Sequence, residues 1–365
     1  MTATTRRKAE HIDICLDKNV QARNTSTGFE DIHLIHRAVP RTSFEEMDIS
    51  TELFGHELAA PIIIEAMTGG TERAALINQN LAQAAENYGI ALGIGSQRVA
   101  LEATQLTPTF TVARDNAPHT LLIGNLGAPQ IMGTDGLNNV KTAIRMIHAD
   151  AFAIHLNSLQ ETMQPEGDTN FVGVLEQLQH IVSNVNIPII AKETGAGFAA
   201  EEAQLLESIG IQGIDIGGAG GTSWAAVESY RAKMQRDITR ETLGRAFWDW
   251  GIPTAISTVE VRQTTELTII ASGGIRTGID IAKAIALGAN AVGIAIPLLK
   301  PALHGQLSAV FDLLIKELKI AMFLTGATSI KELQSAPMII TGKTADWLRS
   351  RGFHPEKYAT RRGIP

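Results

Sequence analysis

The feature that most constrains this chain is a unit that recurs from about residue 61 onward. It consists of a short apolar run, a glycine-rich or polar turn, and a segment with helical periodicity. The apolar runs are PIIIEA (61–66), IALGIG (90–95), TLLIGN (120–125), AFAIHL (151–156), IPIIAK (187–192), GIDIGG (213–218), LTIIAS (267–272) and AVGIAI (291–296). Each is nearly continuous in Ile, Val, Leu and Ala, as expected of parallel strands buried on both faces. The stretches between them, such as 74–89, 199–210 and 278–288, are amphipathic, and most end in a glycine suited to a helix C-cap. Eight strand–helix alternations within about 250 residues predict an α/β fold of the (β/α)8 barrel type rather than an open doubly wound sheet.

The remaining sequence reads as decoration of one domain spanning 1–365. Residues 1–60 form an N-terminal extension, 61–299 carry the barrel strands, and 300–365 carry the last helix and a C-terminal extension. An insertion, 219–266, follows the sixth run. The 33 glycines and 5% aromatic content suit many tight strand-to-helix turns. A net charge of −7 signals no basic face for nucleic acid, so any polyanion must meet locally gathered Arg and Lys or a metal. The one cysteine, Cys15, excludes a disulfide framework and a multi-cysteine zinc site. No apolar run is long enough to span a bilayer, and the N-terminus lacks the apolar segment of a secretory signal. A cytoplasmic protein is expected.

In a barrel of this kind, chemistry sits at the C-terminal ends of the strands. The residues just past each run are far more polar than the runs themselves: Ala66-Met67-Thr68-Gly69-Gly70, Ser96-Gln97-Arg98, Asn125, His155-Leu156-Asn157, Lys192-Glu193-Thr194, Gly217–Thr222, Gly273–Arg276 and Ala295-Ile296. The glycine pair after the seventh run lets backbone N–H groups approach a phosphate, and the helix starting near Gly278 would add its positive end. The GGAGGT turn supplies a third close approach, with Thr222 as a further donor.

Two further clusters stand out. Arg7, Lys8 and His11 fall within about a 100° arc of one helix face and could clamp a polyanion, although spacing alone favours an ordinary solvated basic start. In HLNSLQETMQPEGD (155–168), His155 and Asn157 share one face of a strand end, and Gln160 and Glu161 follow. Carboxylates at Glu161, Glu166 and Asp168 beside amides suit a hard cation such as Mg2+, while Glu166 and Asp168 also read as a simple PEGD turn. His155 is as well explained by a hydrogen-bonded core histidine as by a catalytic one.

Taken together, RKAEH (7–11), AMTGG (66–70), GSQR (95–98), GNLGAPQ (124–130), HLNSLQE…QPEGD (155–168), KETGAG (192–197), GGAGGTSW (217–224) and ASGGIRTG (271–278) resemble the type 2 isopentenyl-diphosphate isomerases, in order and over nearly the whole chain. The resemblance implies an FMN- and Mg2+-dependent isomerase of isopentenyl and dimethylallyl diphosphates, commonly tetrameric, with NADPH as reductant of the flavin. It implies that FMN is held by Ala66, Met67, Thr68, Ser96, Asn125, Lys192 and Thr222, with its phosphate at Gly274, Ile275, Arg276, Ala295 and Ile296. Ile296 stands where a more polar residue is expected, which leaves that contact to the backbone. The substrate diphosphate would meet Arg7, Lys8, His11, Ser96, Gln97, Arg98, His155, Asn157 and Gln160, with Glu161 as the Mg2+ ligand. His155 and Gln160 are the candidate catalytic side chains. A double-bond shift at unactivated carbon needs a proton delivered and another removed, and the rim offers no obvious pair of carboxylates for both jobs. A reduced flavin acting at its N5 region would fill that gap.

Three alternatives share parts of this barrel. A 2-hydroxy-acid oxidase or dehydrogenase needs a His–Arg pair near the seventh strand, and 262–276 contain no His. An inosine-monophosphate-dehydrogenase-like enzyme needs a cysteine after the sixth strand, where none stands. A non-catalytic flavin carrier has no use for Gln160, Glu161 and the Arg7/Lys8 pair.

Overall fold

The computed structural model of the chain describes residues 3–361; positions 1–2 and 362–365 of the two extensions lie outside the described residues. All eight apolar runs become strands of one closed parallel barrel: β1 (Ile62–Ile64), β2 (Ala91–Gly93), β3 (Leu122–Gly127), β4 (Ala151–His155), β5 (Ile189–Lys192), β6 (Gly213–Asp215), β7 (Thr268–Ser272) and β8 (Ala291–Ile294). Neighbours in sequence are neighbours in space, and Val292 opposite Ile62 closes the ring between β8 and β1. Most strands are shorter than their runs, because the final residues peel away from the ladder into the rim turns.

The helices that bear on the site are α1 (Ala3–Asp17), α2 (Ser158–Met163), α3 (Trp224–Met234), α4 (Ile238–Ala246), α5 (Thr254–Thr264), α6 (Gly278–Leu287), α7 (Ile296–His304) and α8 (Leu307–Thr325). The insertion after β6 therefore folds as α3, α4 and α5. Helices Glu72–Tyr88 and Ala200–Ser208 lie where the periodicity predicts them.

Successive residues of each strand face opposite ways, so the barrel interior is built from every second one. Ile63, Ala91, Ile123, Ala153, Ile190, Ile270 and Ala291 fill its lower part. A hairpin, Thr51–Leu53 with His56–Leu58, plugs that end with Leu53, Phe54 and Leu58. The interior positions one step further up are Glu65, Asn125, His155, Lys192, Asp215, Ser272 and Gly293. They convert an apolar core into a polar floor. Outward residues such as Ile62, Ile64 and Ile214 join the larger core beneath the helices.

The N-terminal extension is strapped across the upper end. Ala22 N–H donates to Gly221 O and Ser223 N–H to Val20 O, both at 2.8 Å, which ties the chain after α1 to the turn following β6. The first and last parts of the chain also pair as antiparallel strands, Ile32–Leu34 with Met338–Ile340. This fastening brings residues near position 10 onto a site made mostly by residues beyond 60.

Candidate active site

A cavity of about 240 Å3 opens above the polar floor. Among the residues expected to hold a flavin, Ala66, Met67, Thr68, Ser96, Asn125, Lys192, Thr222, Gly274, Arg276, Ala295 and Ile296 line it. Among those expected to meet a substrate or metal, Arg7, Lys8, His11, Arg98, His155, Asn157, Gln160 and Glu161 do so as well. Two do not. Gln97 is fully buried and turned away: its Nε2 donates to Ala143 O at 2.8 Å and its Oε1 accepts from Asn125 N at 3.1 Å. It braces the β3 backbone from behind and has no surface to offer a ligand. The Ile275 side chain is likewise packed into the core, which leaves only its backbone near the site.

One wall is a glycine cradle. The turns after β6 and β7 interlock so tightly that a Cβ on Gly221 would lie 2.4 Å from Gly274 N, and one on Gly273 would lie 2.2 Å from Gly218 O. Gly273 also adopts φ +100°, which side-chain-bearing residues avoid. Among the described residues nothing accepts the Gly274 and Ile275 N–H groups, which leaves them available to an anion. The start of α6 contributes less than its position predicts. Asp280 accepts the N–H groups of Arg276 and Thr277, and Glu317 accepts that of Gly278 at 2.6 Å. The first turn is already capped by carboxylates, so the N–H groups left to an anion on this wall are those of the glycine turn, not of the helix end.

The floor carries a group absent from the sequence reading. Lys192 Nζ lies 2.8 Å from Glu65 Oε2 and 2.5 Å from Asp215 Oδ2, with all three residues buried. Ser272 Oγ donates to Asp215 and accepts Gly217 N–H. The two carboxylates hold the lysine charged, well above its ordinary range. Glu193 beside it turns the loop after β5 by accepting three N–H groups, from Thr194, Gly195 and Ala196, and burial still pushes it up to about 7. Thr68 Oγ1, Asn157 Oδ1 and Glu65 Oε1 are buried without a hydrogen-bond partner among the described residues. Such groups are costly unless a ligand completes them.

The opposite wall is cationic. The N-terminal helix is not a solvated basic start: Ile12 and Ile14 pack inward, and Lys8 Nζ reaches Ser96 O at 2.6 Å. Arg7 donates to Gln164 and Arg98 to Glu102. Desolvation and the nearby Arg7 and Arg98 lower Lys8 to about 7. His11 does not point freely at the rim. Its Nε2 meets Glu228 Oε1 at 2.7 Å, and Glu228 belongs to a buried network in which Arg231 also pairs with Glu10 and Glu166. Glu166, readable as a turn residue, thereby joins α1, α3 and the loop after α2. Nearby, Glu161 accepts from Asn157 Nδ2 at 3.2 Å and from Asp168 N at 2.8 Å. Among the described residues no group of three or more His, Cys, Asp or Glu is placed to hold a metal.

A barrel whose upper end combines a glycine phosphate cradle with a charged lysine floor defines a flavin-nucleotide class of enzyme. The model of the FMN-dependent dehydrogenase family accordingly matches residues 2–112 and 134–340. Solved structures of similar fold include a putative lactate oxidase from Pediococcus acidilactici (TM-score 0.65, 16% identity, 93% of each chain) and the flavin-binding domain of baker's yeast flavocytochrome b2 (TM-score 0.66, 16% identity, 90% of this chain and 81% of that one). Much nearer in sequence are isopentenyl-diphosphate delta-isomerases. That of Methanothermobacter thermautotrophicus is 50% identical over 97% of this chain and 99% of its own length, and that of Pyrococcus furiosus is 50% identical over 96% and 90%. The chain belongs to the isopentenyl-diphosphate delta-isomerase family, in its FMN-dependent, type 2 form, and is an enzyme.

Proposed function

We propose that this enzyme interconverts isopentenyl and dimethylallyl diphosphates by a 1,3-allylic proton shift, with reduced FMN in the glycine-cradled half of the cavity and the diphosphate in the cationic half. The observation that carries the reading is the convergence of Arg7, Lys8 and Arg98 on one wall beside the carboxylate of Glu161. Burial and the neighbouring Arg98 lower both Arg7 and Lys8, so the cluster is costly in a free protein and is relieved by a ligand with about three negative charges.

The cradle fits FMN. Free N–H groups at Gly274 and Ile275 suit its phosphate, and the unpaired Thr68 hydroxyl and the charged Lys192 suit a polar ring edge. When bound and reduced, the flavin would supply acid and base at its N5 region. Glu161 fits Mg2+ in the way that ion is usually held, by one carboxylate together with substrate phosphate oxygens and water. Arg98, Arg7 and Lys8 bind and orient the diphosphate. Gln160, whose Oε1 is fixed by Asn157 Nδ2 at 3.1 Å, and His155 border the space between the two halves. Helix α1 covers the site and excludes water. The same reading takes NADPH as the reductant, the cytoplasm as the location and a homotetramer as the assembly.

The hydroxy-acid oxidase reading finds no support in the cavity. Its histidines are His11, committed to Glu228, and His155, on β4. Substituting Lys8 by Ala tests the division of the cavity: the KM for isopentenyl diphosphate should rise at least tenfold with FMN content unchanged. Loss of FMN with an unaltered KM would show that the two halves are wrongly assigned.

A further inference from the structure

The trio on the barrel floor contains one ammonium and two carboxylates, all buried. With every group ionised it would hold an uncompensated negative charge in the interior, which is costly. Its geometry argues against that state. The Glu65 and Asp215 carboxyls converge on one ammonium, 2.8 and 2.5 Å from Lys192 Nζ, so two negative charges would face each other across a single positive one unless one carboxyl holds a proton. Glu65 Oε1 has no donor, and a Cβ on Gly293 would lie 1.7 Å from it, so the neighbouring strand crowds that oxygen. An ionised oxygen left bare in this way is far less tolerable than a neutral one. Asp215, by contrast, is served on both oxygens, by Lys192 and by Ser272.

We propose that Glu65 and Asp215 share a single proton, so that the trio is net neutral and Glu65 acts as a positioning residue that steers the Lys192 ammonium toward the cofactor cavity. Two carboxylates engage the Lys192 ammonium, which has three N–H groups, and the residue lines the cavity, so one N–H is left to donate there. The groups facing the trio are few. Burial and the Asp215 charge push Glu65 up to about 7, while Lys192 pulls it down. His155 and Glu193 are the other titratable groups that interact with Lys192. The inference rests on reading this cavity as the flavin site, but not on the identity of the substrate.

The test uses the full-length, FMN-loaded enzyme without substrate, so a failed isomerase assay could not be confused with it, and a failure to retain FMN would be seen directly. Infrared spectra below about pH 7 should show a protonated buried carboxyl that Glu65→Gln removes and that titrates away above that pH. The FMN midpoint potential, measured in the same low-pH range, should be the same in Glu65→Gln as in the parent enzyme, since both trios are neutral. Asp215→Asn provides an independent reading. With Lys192 as its only charged partner, Glu65 should ionise and the carboxyl band should vanish. A parent enzyme with no band that either variant removes, or a potential that rises in Glu65→Gln, would overturn the proposal.

Discussion

His155 Nδ1 lies 2.8 Å from Asn125 Oδ1, and because that oxygen can only accept, Nδ1 carries the proton and the Nε2 lone pair is left uncommitted. Desolvation, then Lys192, Lys8, Arg7 and Arg98, depress the imidazole to about 3. The histidine is therefore neutral in the free enzyme. It can accept a hydrogen bond or a proton at Nε2 but carries no charge to attract the diphosphate. Folding stability follows from the sign of the shift. The native state refuses a proton that the unfolded chain takes up at the ordinary value of 6.5, so stability should fall as pH drops from there toward about 3. At about 1.4 kcal/mol per unit the loss amounts to a few kcal/mol. Urea unfolding of the FMN-free protein across this range should show it, and His155→Gln should flatten the decline.

The position of Lys8 near 7 predicts a proton linkage. Above neutrality much of the free enzyme holds this amine uncharged, and a bound diphosphate restores its charge. Calorimetric titration with inorganic diphosphate in buffers of different ionisation enthalpy should therefore register uptake approaching about one proton above pH 7, fading below it. Lys8→Ala should abolish the uptake. Uptake that persists in this variant would assign it to another group.

Arg231 is 2% exposed, and its guanidinium joins Glu10 of α1, Glu228 of α3 and Glu166 after α2. Arg231→Met leaves Glu228 buried without the guanidinium 2.7 Å from it, a loss of about 3–5 kcal/mol. Chemical denaturation should register that loss. Because Glu228 also holds His11, and Glu10 lies on the helix that carries Arg7 and Lys8, the KM for substrate should rise too. An unchanged KM would show that α1 is seated without this network.

Gly273→Ala places a methyl group against the backbone of Gly218 at a φ that alanine resists. The turns would have to separate, which takes the free N–H groups of Gly274 and Ile275 out of register. FMN affinity, read by flavin fluorescence, should weaken by roughly tenfold or more, equivalent to about 1.4 kcal/mol. A substitution at Gly305, around which a Cβ meets nothing within 4 Å, should leave FMN binding unaffected.

The barrel was legible because parallel strands buried on both faces must be apolar along their whole length, and eight such runs leave few other folds. The rim was legible for the same reason: polarity beginning where the runs end marks the face where ligands bind. Glu65 and Asp215 escaped because they lie inside the runs PIIIEA and GIDIGG, where attention to the residues past each strand skips over them. Counting by two from Ile63 and from Gly213 would have found both, since an acidic residue at an interior position of a buried strand needs a partner. Gln97 misled in the opposite sense. It sits between two cavity residues, Ser96 and Arg98, yet its side chain leaves the turn on the other side. The Arg231 network joins residues more than 200 positions apart, and no local spacing encodes that contact.

The proposed proton shift uses a flavin that undergoes no net redox change. It is tested most directly by following isopentenyl diphosphate under anaerobic conditions, with Mg2+, in enzyme whose FMN is held either oxidised or dithionite-reduced. Dimethylallyl diphosphate is expected from the reduced enzyme alone, with the flavin still reduced after many turnovers. Full-rate isomerisation by the oxidised or FMN-free protein, or reoxidation of the flavin in step with substrate loss, would contradict it.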